Sequence, residues 1–313
     1  MYRKILSALM IGVALVSNAQ NIKFDDNKLL KIVQFADNHY ACASEAESQP
    51  ALDCLNTILD AEKPDLVIFT GDLVYSAEAY KGLDKILEPV ISRKIPFAVT
   101  FGNHDNEFDR TITEVYDYVA TKPYCLMPMR KKNANVPDYT LTVKSSDGKK
   151  DAAALYCLYS HSYNKEVGYE WLTCDQVQWY RNESKAITKK NGGKPLPALA
   201  FYHIPIPEYA TAAAEAGDKL KGFRGETECC PKINSGLFAA VLECGDVMGM
   251  FVGHDHNNDY AVNYNGVILA YGRYSGGKTV YNDLPNGARI IILKEDSRQI
   301  ETYIRQTDGK IIK

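Results

Sequence analysis

The chain has 313 residues, with 36 Lys and Arg against 39 Asp and Glu. Its net charge of −3 gives no reason to expect a nucleic-acid polymer or an anionic membrane surface as partner. A 46% hydrophobic content is ordinary for a soluble enzyme, and no repeat, low-complexity segment or interdomain linker is evident.

Arg3 and Lys4, the apolar run Ile5 to Val16 and the small residues Ser17-Asn18-Ala19 read as an export signal. They predict residues 1–19 as a signal peptide, 20–313 as a single domain, and a periplasmic or extracellular location. The apolar run of 12 residues falls short of the ~20 that cross hydrocarbon, and no later stretch is longer, so no stable membrane span is expected. Eight cysteines (42, 54, 125, 157, 174, 229, 230 and 244) in an exported chain make disulfides plausible, with Cys42 and Cys54 the first candidate pair.

Lys31 to Ala36 is the first strand, and alternation at its end places Asp37 and His39 on one side and Asn38 on the other. A helix around Ala51 to Ala61 leads to a second buried strand, Asp65 to Thr70, followed at once by Gly71-Asp72. A helix near Ala77 to Ile91 leads to a third, Ile95 to Phe101, which ends in Gly102-Asn103-His104-Asp105. This alternation is that of parallel crossover units, whose ligands gather at the carboxyl ends of the strands.

The middle of the chain differs. Ser146-Asp147-Gly148 between two strand-like runs signals a hairpin, and Thr173-Cys174-Asp175-Gln176 reads as a capping box opening a helix. Leu196 to Phe201 is an apolar strand that delivers His203; Val247 to Val252 is another, and it delivers Gly253-His254-Asp255-His256. Two further hairpins are predicted around Asn263-Tyr264-Asn265-Gly266 and Asp296-Ser297.

Of six histidines, His39, His104, His203, His254 and His256 all follow strand-like runs. Together with Asp37, Asp72 and Asn103 they offer oxygen and nitrogen donors without a thiolate. Seven such ligands, leaving His104 aside, suit two ions of Mn, Fe or Zn and exceed what one tetrahedral ion uses. Asp72 is the natural bridge between ions ~3.5–4 Å apart, where a bridging hydroxide can attack phosphorus at neutral pH. His104, beside Asn103 and not needed as a ligand, is the candidate general acid, with Asp105 placed to orient it or raise its pKa.

The ordered set Asp37-x-His39, Gly71-Asp72, Gly102-Asn103-His104-Asp105, His203 and Gly253-His254-x-His256 resembles the calcineurin-like metallophosphoesterase superfamily over about residues 30 to 275. That resemblance implies an α/β fold, a two-sheet β-sandwich flanked by helices. It also implies one metal on Asp37, His39, Asp72 and His256 and the other on Asp72, Asn103, His203 and His254. Gly71-Asp72-Leu73-Val74-Tyr75 is similar to the second motif of purple acid phosphatases, in which the tyrosine binds ferric iron. Because His39 already fills the first site, Tyr75 is expected near the substrate or behind the ligands. Arg224, Arg273 and His161 are further candidate substrate-binding residues, since guanidinium forks suit phosphate.

A small phosphoester, either a monoester or a diester of a nucleotide or lipid headgroup, is the expected substrate. A metal-stabilised binding protein without turnover is the alternative.

Overall fold

The computed structural model describes residues 22–313, and the expected export signal lies outside them. The first half of the chain alternates β1 (Leu29–Ala36), α1 (Glu45–Glu62), β2 (Leu66–Thr70), α2 (Ala79–Ser92), β3 (Phe97–Thr100) and α3 (Ile112–Ala120). β1 pairs in parallel with β2, and β2 with β3. Parallel strands need a crossover, and the intervening helices supply it. Every residue of β2 and β3 is buried, as strands covered on both faces require.

The second half contains β4 (Tyr139–Lys144), β5 (Asp151–Cys157), a short hairpin of β6 (Tyr163–Asn164) and β7 (Gly168–Tyr169), α4 (Cys174–Lys190) and β8 (Ala198–Phe201). It continues through α5 (Glu208–Ala216), α6 (Leu237–Cys244), β9 (Val247–Val252), β10 (Ala261–Tyr264) and β11 (Val267–Tyr271). The chain ends with β12 (Arg273–Tyr274), β13 (Gly287–Lys294), β14 (Ile300–Gln306) and β15 (Ile311–Ile312).

These strands form two large sheets. One has the order β15-β14-β13-β1-β2-β3 with β12 alongside β1; the other has the order β10-β11-β9-β8-β5-β4. Side-chain alternation along the second sheet shows how the layers stack. Leu155, Cys157, Leu199, Phe201, Met248 and Phe251 belong to the core shared with the first sheet and with α1 to α3. Their neighbours Ala154, Tyr156, Ala198, Ala200, Val247 and Met250 face the separate core under α4 to α6. The sheets thus lie between two helical layers, the sandwich expected from the motifs. Buried Gln34 ties the sheets at the site end, its Nε2 donating to Thr70 Oγ1 and to the Val252 carbonyl, each at 2.9 Å.

The hairpins β4–β5, β10–β11 and β13–β14 and the Thr173–Gln176 capping box form where the sequence places them. Differences arise at helices. α1 begins at Glu45, six residues before the predicted Ala51, and carries Pro50 in its second turn. α3, α5 and α6 are eight or nine residues long, too short for a clear apolar period, although the Thr111–Glu114 capping box of α3 is a readable start signal. The expected Cys42–Cys54 bridge is absent: all eight cysteines are free, with Cys42 Sγ facing the Glu78 carbonyl and Cys54 Sγ facing that of Gly287. The two thiols face different parts of the chain and pack as small buried groups. Among the described residues no helix is long and apolar enough to cross a membrane.

Candidate metal centre

β1, β2, β3, β8 and β9 all end on the same side of the sandwich, and the loops leaving them bring Asp37, His39, Asp72, Asn103, His203, His254 and His256 together. All seven are buried. Strand alternation does not aim them, because β1 has already ended at Ala36. The backbone instead turns left-handed at Asp37, His39, Asp72 and His254, with φ of 59°, 46°, 53° and 83°. Such conformations cost energy for residues bearing a Cβ and persist where the surroundings impose them.

Here the surroundings are hydrogen bonds between loops: His39 N to the Asp72 carbonyl at 2.9 Å, His254 N to Asp37 Oδ1 at 2.9 Å and His104 N to Asp72 Oδ1 at 2.9 Å. Asn38, pointing the other way, donates to the carbonyl of Ser275.

Two glycines make the approach possible. Gly71, at φ 90°, lies under the His203 ring, and Gly102 lies where a Cβ would overlap Asp72 Oδ1. The Gly102→Ala variant is therefore expected to lose roughly 1–3 kcal/mol of stability through overpacking. It should also bind less metal, as read by denaturant unfolding and elemental analysis. Unchanged metal content would contradict the tight seating of Asp72.

Asp72 Oδ2 is the centre of the cluster. It lies 3.1 Å from His203 Nε2, 3.6 Å from His39 Nε2 and 4.0 Å from His104 Nε2. Around it His39 Nε2 faces His256 Nε2 at 3.1 Å, and His203 Nε2 faces His254 Nδ1 at 3.3 Å and Asn103 Oδ1 at 3.2 Å. Asp37 Oδ1 is 3.9 Å from His256 Nε2. The ligand atoms of Asp37, His39 and His256 lie within 4.8 Å of one another, as do those of Asp72, His203 and His254.

A donor set of this kind fits cations better than hydrogen bonds. Asp72 Oδ2, His39 Nδ1 and His254 Nε2 are buried without a hydrogen-bond partner, and ring nitrogens face one another across the cluster. Two rings are locked from behind: His203 Nδ1 lies 2.7 Å from the Thr70 carbonyl and His256 Nδ1 lies 2.8 Å from that of Tyr281. A proton on each Nδ1 leaves the Nε2 lone pair aimed inward.

Burial holds His39 and His254 well below the ordinary imidazole range and brings His256 down to about 4, so these rings are neutral donors. His203 behaves oppositely. Its burial penalty is outweighed by the Asp72 and Asp37 carboxylates, which push it up to about 9. Burial likewise pushes the Asp37 carboxyl up to about 8. A proton and a cation therefore compete for the same atoms.

Seven buried donors crowded against one another weaken the fold, and a bound cation relieves this. Adding Mn or Zn to chelator-treated protein at about 100 times the dissociation constant should stabilise by about 2.7 kcal/mol, or roughly 5–10 °C in Tm. A melting curve indifferent to both ions would contradict the cluster's being a cation site.

The remaining expected site residues divide. His104 stands at the cluster's edge, but its expected partner Asp105 does not touch it. The Asp105 carboxylate instead accepts four backbone N–H groups, from Asp72, Leu73, Val74 and Gly102. Burial and the Asp72 charge push Asp105 up to about 7, while the Gly102 and Val74 N–H groups favour its charged form. It is a brace for the Gly71-Asp72 and Gly102-Asn103 loops.

The carboxylate at His104 is Glu107, with Oε2 2.8 Å from Nδ1. Its position three residues downstream was readable from the sequence, but the adjacent Asp105 is the nearer candidate there.

Tyr75 stands edge-on to His104 with ring centroids 5.1 Å apart. Arg273 and His161 are elsewhere. Arg273 is buried in an ion pair with Asp259 and donates to the Pro285 carbonyl, so its guanidinium is used up inside the fold. His161 Nε2 lies 2.8 Å from Gln176 Oε1, and Arg224 forks onto Glu228. Neither contacts the cluster.

A two-sheet sandwich that gathers imidazoles, carboxylates and an amide at its strand ends is a metallophosphoesterase architecture. Solved structures agree on the fold. A dimetal phosphatase from Danio rerio superposes with a TM-score of 0.54 at 12% identity, covering 87% of this chain and 98% of its own. A purple acid phosphatase from yellow lupin seeds superposes with a TM-score of 0.56 at 16% identity, covering 94% of this chain and 53% of its own. The calcineurin-like phosphoesterase family matches residues 30–258, and the chain belongs to it.

Among curated relatives, "Probable inactive purple acid phosphatase 14" of Arabidopsis thaliana is 31% identical over 294 residues, 82% of this chain and 73% of its own length. "Phosphatase DCR2" of Saccharomyces cerevisiae is 29% identical over 331 residues, 92% of this chain and 56% of its own.

Proposed function

We propose that the protein is an exported, dinuclear-metal phosphoesterase that hydrolyses a small phosphoester. Asp37, His39, Asp72 and His256 would hold one ion, and Asp72, Asn103, His203 and His254 the other. When bound, such a pair supplies Lewis acidity toward a phosphoryl group and an activated water near neutral pH. The observation that carries this reading is the position of Asp72 Oδ2, which has no hydrogen-bond partner and faces His39 Nε2 on one side and His203 Nε2 on the other.

The chain's own residues do the rest. Locked imidazoles present lone pairs without reorganisation, and burial of the cluster limits water to what the ligands admit. His104, less buried than the seven, is placed to donate a proton from Nε2 to the departing oxygen, with Glu107 Oε2 2.8 Å from its Nδ1. Export is supported by the signal-like pattern of residues 1–19.

A second reading, a metal-stabilised binding protein without turnover, is favoured by the word "inactive" in the name of the Arabidopsis relative. Against it stands a complete set of donors together with His104, whose Nε2 lies 4.0 Å from Asp72 Oδ2. Turnover of an aryl monoester and an aryl diester by protein loaded in turn with Mn, Zn and Fe decides between them. The phosphoesterase reading expects metal-dependent hydrolysis of at least one ester. No hydrolysis with any ion would leave the binding protein.

A further inference from the structure

Five aromatic side chains surround the ligand cluster. Tyr281 lies over His256, with centroids 4.5 Å apart and planes inclined by 27°, and Tyr169 stands edge-on to His254 at 4.6 Å. The Tyr163 hydroxyl lies 3.2 Å from His104 Nε2 and accepts from Asn103 Nδ2 at 2.8 Å. Tyr75 packs against His104, and Phe108 against Tyr75 with centroids 5.3 Å apart.

The arrangement is unusual in its exposure. Tyr281, Phe108 and Tyr163 are 56%, 51% and 46% exposed, and among the described residues they account for three of the four aromatic residues that are large, hydrophobic and exposed. Aromatic rings left in water and concentrated at the rim of one site mark a surface that something flat and apolar covers.

Charge narrows the choice. Among the described residues no Lys or Arg pairs with the seven ligands or with the five aromatics. Two carboxylates stand at the aromatic rim: Glu107, beside His104, and Glu226, which accepts from the Tyr281 hydroxyl at 3.0 Å. A rim of this sign repels further phosphates or carboxylates on the substrate, while rings offer their faces to a planar group.

We propose that Tyr75, Phe108, Tyr163, Tyr169 and Tyr281 form an aromatic collar that selects phosphoesters whose organic part is a planar aromatic group carrying no additional negative charge. This rests on the phosphoester reading above and adds the substrate class. The collar is a recognition device: Tyr281 and Phe108 hold the ring while the cluster holds the phosphoryl group. Tyr163, hydrogen-bonded to both Asn103 and His104, closes the side on which the leaving oxygen departs.

Binding of two non-hydrolysable phosphonates to Mn-loaded protein, followed by calorimetry, tests the collar without reference to turnover. Phenylphosphonate should bind about tenfold or more tighter than methylphosphonate, the scale of one good aromatic contact. The Tyr281→Leu/Phe108→Leu variant should erase most of that ratio by weakening phenylphosphonate alone, whereas Tyr281→Phe should keep it. The Tyr281 carbonyl that anchors His256 is retained in all of them.

Equal affinity of the two phosphonates for the wild-type protein would overturn the collar while leaving the phosphoester reading intact. So would a variant that loses both equally. Binding of neither phosphonate would overturn both readings together.

Discussion

Substituting Asn for Asp72 is expected to lower kcat/KM on any phosphoester by on the order of 10³-fold, equivalent to about 4 kcal/mol of transition-state stabilisation. The amide keeps the shape and can still accept the His104 backbone N–H that now reaches Oδ1. It loses the negative charge that Oδ2 presents to His39 on one side and His203 on the other. Metal content should fall from two ions per chain toward one, because a neutral amide is a poor bridge between cations. Since the loops around it remain tied by other hydrogen bonds, the circular dichroism spectrum should be unchanged. A variant that retained both ions and full turnover would remove Asp72 from the bridging role.

The second large effect concerns the leaving group. The His104→Ala variant should lose about 10²–10⁴ in kcat on esters of poorly acidic alcohols, the range of general-acid contributions, and much less on 4-nitrophenyl esters, whose leaving group needs no proton. Metal content should stay constant, because the seven ligands converge without this ring. Glu107→Gln should show the same leaving-group dependence in weaker form, about tenfold, because it acts through the Nδ1 side of the imidazole. Equal losses on good and poor leaving groups would assign His104 a structural or ligating role instead.

The candidate cluster was legible because strand ends are chemically distinctive. A buried apolar run that stops at Gly-Asp, Gly-Asn-His-Asp or Gly-His-Asp-His leaves polar side chains with nowhere to go but a shared site. Hairpins were legible for a similar reason, since Asn265, Gly266 and Gly148 sit in turns at φ that few other residues accept.

What sequence periodicity could not supply was the aim of each ligand. Asp37 and His39 point into the cluster by way of left-handed backbone rather than by strand alternation, and that is set by hydrogen bonds to loops more than 30 residues away. Nor could it supply the partners of charged residues. Asp105 looks adjacent to His104 in sequence but turns to four N–H groups, while Arg273 looks available and is consumed by Asp259.

The collar residues were hidden differently. Tyr163 and Tyr169 lie on strands two residues long, and Tyr281 lies outside any strand or helix, so no pattern marks them.

Elemental analysis of natively purified protein, joined to an anomalous-scattering map of its crystals, tests the central claim most directly. Two peaks about 3.5–4 Å apart are expected, with Asp72 between them, Asp37, His39 and His256 around one, and Asn103, His203 and His254 around the other. A single ion, or two ions that share no Asp72 oxygen, would contradict it.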